Sequence, residues 1–76
     1  MEGTKLNENI VVDKTFMYSR IEYRIIYINN QKGRINVELV DPTTARFPQQ
    51  GQKIRIENIE FTVIYVNPGK NRISLE

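Results

Sequence analysis

The chain has 76 residues, with 11 Lys or Arg against 9 Asp or Glu, a formal net charge of +2, and no Cys, His or Trp. A chain this short supports one small domain, which buries only about 60% of the surface its unfolded form exposes. Without Cys or His there is no disulfide, no zinc site and no imidazole to activate Ser19 or Ser74, so the composition argues against an enzyme and against a metal or other cofactor.

Ile (11), Val (6) and Thr (5) far outnumber Ala (1) and Leu (3), which is the balance of pleated sheet rather than helix. No apolar run approaches the roughly 20 residues that a bilayer-spanning helix needs. The expectation is a chain without a membrane span in the cytoplasm, that of an infected host included.

In chain order, residues 1–8 read as a frayed arm. Ile10-Val11-Val12 then offers a short strand, placed either to close the sheet or to pair with a neighbouring molecule. Phe16 and Tyr18 alternate on the next strand, residues 22–29 form a long one, residues 30–33 turn, and residues 34–40 return. These elements make a first meander over residues 9–40. Residues 41–52, with Pro42 and Pro48, read as a connector loop.

The second meander covers residues 53–76. Ile54 and Ile56 alternate with Lys53 and Arg55, Asn58 closes a turn, and residues 60–67 form the long strand. Pro68-Gly69 then turns the chain, because proline presets φ at one corner and glycine accepts a positive φ at the next. Residues 72–76 return. A period of two puts Tyr23, Ile25, Tyr27, Ile35, Val37 and Leu39 on an inner face, with Phe61, Val63, Tyr65, Ile73 and Leu75 as their counterparts.

A shift of 38 residues aligns Ile21–Glu38 with Ile59–Glu76 without a gap, and nine of those eighteen positions are identical. The expected fold is therefore all-β: a small closed or nearly closed antiparallel barrel built from two duplicated three-stranded meanders.

Three features could carry function. Ile26, Ile28, Ile64 and Val66 alternate with the inner set, so they read as an apolar outer strip. Either a partner subunit covers that strip, or the chain's own Phe47, Leu6 or Ile10-Val12 segment does. Lys32 and Arg34 recur as Lys70 and Arg72, two basic hairpin tips that could grip phosphate with Tyr18 or Tyr27 nearby to stack bases. Against this stand Glu22, Glu38, Glu60 and Glu76, repeated as faithfully and suited to cross-strand charge pairs. Arg46-Phe47, bordered by Pro48, reads as a partner anchor or as a plug for the open barrel end.

The run Gly51-Gln52-Lys53-Ile54-Arg55-Ile56, then Ile59-Glu60-Phe61-Thr62-Val63, Val66-Asn67-Pro68 and Arg72-Ile73-Ser74-Leu75-Glu76, resembles the barrel core of small head-tail joining proteins of tailed phages. SH3-like and Sm-like barrels, KOW modules and the OB-fold share part of this pattern. The resemblance implies a non-enzymatic structural or adaptor subunit that assembles through protein contacts, as an oligomer or as part of a particle. The alternative of a different class is a nucleic-acid-binding module using the hairpin tips, and a small inhibitor of another protein fits the size equally well.

Overall fold

Alternating Ile, Val and aromatic residues draw the chain into strands, and turn-forming residues separate them. In the computed structural model, which describes residues 8–41, 43 and 47–76, the strands are β1 (Thr15–Tyr18), β2 (Ile21–Asn29), β3 (Arg34–Leu39), β4 (Lys53–Ile56), β5 (Ile59–Asn67) and β6 (Arg72–Leu75). They form one antiparallel sheet in the order β1-β2-β3-β6-β5-β4, curled into a nearly closed barrel. The described residues contain no α-helix and no helix long and apolar enough to cross a membrane.

Its core holds most of the expected inner face, Tyr23, Ile25, Ile35, Val37, Leu39, Phe61, Val63, Ile73 and Leu75, together with Ile54 and Ile56 of β4. Phe16 packs on this core and stacks on Tyr23, with ring centroids 5.4 Å apart. Burial, and then the neighbouring Tyr18, push the Tyr23 hydroxyl above the ordinary tyrosine value.

The two meanders meet across β3 and β6 around an internal pseudo-two-fold. A shift of 38 residues carries the pair Ile35↔Leu75 onto Ile73↔Val37, and it carries Asn36↔Ser74 onto itself with the partners exchanged. The backbone obeys the same relation. All eight positive-φ positions among the described residues fall into four pairs 38 apart: Asp13/Gly51, Ser19/Glu57, Arg20/Asn58 and Gly33/Asn71.

Between Tyr18↔Ile21 and Ile56↔Ile59 the two central residues both have positive φ, as in the I′ turns that match strand twist. Hydrogen bonds repeat as well. Asp13 N–H donates to the Ile25 carbonyl at 2.7 Å, as Gly51 N–H does to that of Val63 at 2.7 Å.

Three expectations need correction. Gly69 does not take a positive φ: Pro68–Lys70 form one 3-10 turn, and the left-handed position falls to Asn71, with φ 58°. Ile10-Val11-Val12 is not a strand: Ile10 is buried in the core, while Val11 and Val12 are half-exposed in a turn that the positive φ of Asp13 directs into β1. Nor does the period of two run unbroken along the long strands, because the register shifts between Ile25 and Tyr27 and again between Val63 and Tyr65. Such a bulge adds one residue, so every later side chain changes face. Tyr27 and Tyr65 therefore turn outward, 50% and 57% exposed, and are not inner-face residues. Ile28 and Val66 pack against the core instead of lying on an outer strip.

The sheet has two edges, β1 and β4, and side chains bridge them at both ends. Lys14 Nζ lies 3.0 Å from Glu57 Oε2, and the Gln52 amide donates to the Tyr18 hydroxyl. After β3 the connector opens on a local turn in which Thr43 donates to Asp41 Oδ1 from its hydroxyl (2.6 Å) and its N–H (3.1 Å). Those two bonds hold the exposed Asp41 carboxyl below the usual carboxylate range.

Candidate functional site

The bulges build the most distinctive surface of the molecule. Register pairs Tyr27 with Asn36, Asn36 with Ser74 and Ser74 with Tyr65, so these four residues form one row across β2, β3, β6 and β5 on the outer face. Ser74 Oγ donates to Asn36 Oδ1 at 2.8 Å, which locks the centre of the row on the pseudo-two-fold. Two exposed tyrosines flank that centre.

Charged residues lie on either side. Arg34 Nη2 donates to Glu76 Oε1 at 3.4 Å, and Arg72 Nε stands 4.0 Å from Glu38 Oε2, the pseudo-equivalent contact. Arg24 Nη2 also donates to Glu38, at 3.4 Å. The cross-strand charge pairing expected of Glu38 and Glu76 is thus present on this face. Lys32 and Lys70, at the two hairpin tips, are exposed and enter no ion pair among the described residues.

On the second-half side the row opens into a groove of about 170 Å³ lined by Asn36, Tyr65, Asn67, Lys70, Arg72 and Ser74. Two cations, a tyrosine and three neutral hydrogen-bonding side chains line it, and no carboxylate does. A cavity of about 210 Å³ sits at the β1–β4 seam beside Tyr18, Tyr23, Phe47, Pro48 and Gln52. It is larger, but it contains no charged group, and its Tyr18 hydroxyl and Gln52 amide already bond to each other. The outer face is the better equipped surface for a polar ligand.

No family model, curated protein or solved structure matches this chain.

The structure separates the sequence candidates. Arg34 and Arg72 belong to the outer face, Lys70 lines its groove and Tyr27 stands at the β2 end of its row, while Lys32 is exposed at the β2–β3 tip and Tyr18 is tied into the seam. Ile26 and Ile64 sit half-buried at the bulges, and with Ile28 and Val66 turned to the core the four do not make an apolar strip. Phe47 packs half-buried against the core, and Arg46, Leu6 and the rest of residues 1–7 lie outside the described residues. Among the described residues no cluster of three Asp or Glu could hold a metal ion.

Sequence reasoning missed Tyr65, Asn36, Asn67 and Ser74. One signal was available. Ile25-Ile26-Tyr27-Ile28 and Val63-Ile64-Tyr65-Val66 are apolar at every position, and a strand with one solvated face cannot sustain that without a change of phase.

Proposed function

We propose that the protein is a non-enzymatic binding barrel that holds single-stranded nucleic acid across its outer face. The observation that carries this reading is the carboxylate-free groove at Lys70 and Arg72, continuous with the row that exposes Tyr65 and Tyr27. Bases stack on the tyrosines, and backbone phosphates lie against Lys70, Arg72 and, at the other tip, Lys32. Asn67, Asn36 and Ser74 supply neutral donors and acceptors along the path.

Both serines have other roles, which supports a non-enzymatic reading: Ser19 has a positive φ in a hairpin turn and Ser74 donates to Asn36. We take the 38-residue repeat as an internal duplication and the cytoplasm as the setting.

Binding of a fluorescein-labelled oligo-dT of about 12 nucleotides, followed by anisotropy, tests the reading. Affinity should fall steeply as salt rises from about 50 to about 200 mM. Tyr65→Ala should weaken binding by about 1–3 kcal/mol. A protein that binds no oligonucleotide at the lower salt sinks the proposal.

A second reading, the adaptor subunit implied by the phage resemblance, is favoured by one observation. The same face presents Tyr and Arg, the residue types that anchor protein interfaces. A native mass that shows a defined oligomer indifferent to the oligonucleotide would favour it.

A further inference from the structure

The pseudo-two-fold relates Arg34 and Arg72 of the outer face, but the residue that stands opposite the paired carboxylate differs between the halves. Arg24 stands opposite Glu38, so Glu38 is shared by Arg24 at 3.4 Å and Arg72 at 4.0 Å. The position equivalent to Arg24 is Thr62, an uncharged residue whose N–H donates to the Glu76 carbonyl at 2.8 Å, and among the described residues Arg34, at 3.4 Å, is the one cation paired with Glu76. Drawing Arg34 away from Glu76 leaves that carboxylate to water, at the modest cost of a part-exposed ion pair. Drawing Arg72 away from Glu38 leaves that carboxylate with Arg24.

Arg34 also presents less of its guanidinium. Its Nε is sealed from solvent and unbonded, so no ligand oxygen reaches that atom. Arg72 is exposed, and the groove lies beside it.

We infer that the two ends of this face are unequal, and that Arg72 and Lys70 in the second-half groove form the anchoring phosphate subsite for a bound single strand, made available because Arg24 keeps Glu38 neutralised. The inference rests on the nucleic-acid reading above. In the first half the equivalent arginine stays on Glu76, and only Lys32 offers a mobile charge.

The test uses the whole chain and the labelled oligo-dT. Arg72→Gln should weaken binding about tenfold and lower the salt slope by about one, because one phosphate contact is lost. Arg34→Gln should change affinity less than about twofold. Thr62→Arg should give Glu76 a second arginine and free Arg34. In that background Arg34→Gln becomes as damaging as Arg72→Gln, which a general change in net charge would not produce.

Urea melts check that each variant folds. On the unaltered protein, backbone amide shifts give a measurement that does not depend on the variants. On binding, the signals of Asn67, Lys70 and Arg72 should move further than those of Asn29 and Lys32. Binding with equal losses at Arg34 and Arg72, or shifts that are larger in the first half, overturns the subsite and leaves the nucleic-acid reading standing. Absence of any oligonucleotide binding overturns both.

Discussion

The two halves of the barrel share a backbone more closely than they share a sequence. Over residues 11–20 and 49–58 no position is identical, yet both segments run through a positive-φ turn, a four-residue edge strand and a two-residue hairpin turn. Over the following eighteen positions half are identical. Inward-facing β-formers at alternate positions and residues that tolerate positive φ at the turns suffice for the scaffold. Phe16 and Tyr18 of β1 therefore stand where Ile54 and Ile56 stand in β4. Differences that leave the backbone alone are free to set the charge on each side, and Arg24 against Thr62 is one such difference.

The hardest test of this equivalence is in the core. Ile35 and Ile73 are equivalent and both essentially inaccessible, so Ile35→Ala and Ile73→Ala should each destabilise the fold by about 2–5 kcal/mol. Urea midpoints that fall together support a single shared core. A large loss at one site and a small one at the other would mean that one meander carries the fold.

A second test separates the halves, because Tyr23 of the first stands where Phe61 stands in the second. The buried Tyr23 hydroxyl keeps its proton to a higher pH in the folded chain than its ordinary value of 10.0. Its contribution is complete below about 10 and is lost as pH rises through the raised value, since the unfolded chain then binds fewer protons. Thermal melts of Tyr23→Phe should show this part of the alkaline decline removed. An unchanged decline would place the loss at another group.

Hairpin turns give a smaller contrast. Asn58 already suits a left-handed position, whereas Ser19, Arg20 and Glu57 do not. Replacing Ser19-Arg20 by Asn-Gly should raise stability by about 1 kcal/mol, whereas Glu57→Asn, which also removes the ion pair with Lys14, should change it little. Equal gains in urea would show that the Arg20 backbone carries no strain.

The smallest effect belongs to the seam, where Lys14 and Glu57 form a half-exposed pair whose equivalent in the other half, Gln52 with Ser19, carries no charge. Lys14→Gln should lower stability by no more than about 1 kcal/mol, and by less in high salt. A loss of several kcal/mol would make that pair the closure of the barrel.

The inner face up to the bulges, the positions of the turns and the 38-residue repeat were legible in the sequence because they follow from local periods and turn chemistry. Of the candidate site, the four cations were legible as repeated hairpin residues. Tyr65, Asn36 and Ser74 were not. Their shared row depends on how β3 meets β6, a pairing between residues far apart in the chain. The unbroken apolar runs signalled a change of phase, but the place of each bulge, at Ile26 and Ile64, was hidden for a related reason: an extra residue is located only against the strand it fails to pair with.

By itself, then, the sequence determined an all-β barrel in two similar halves, a core of alternating apolar residues, and cations at the hairpin tips. Those depend on side-chain type and spacing along the chain. Only the tertiary structure decided that the tyrosines face out, that Ile28 and Val66 face in, and that Arg72 shares its carboxylate while Arg34 does not. Each of these is set by register across strands, where one inserted residue exchanges the faces of a sheet.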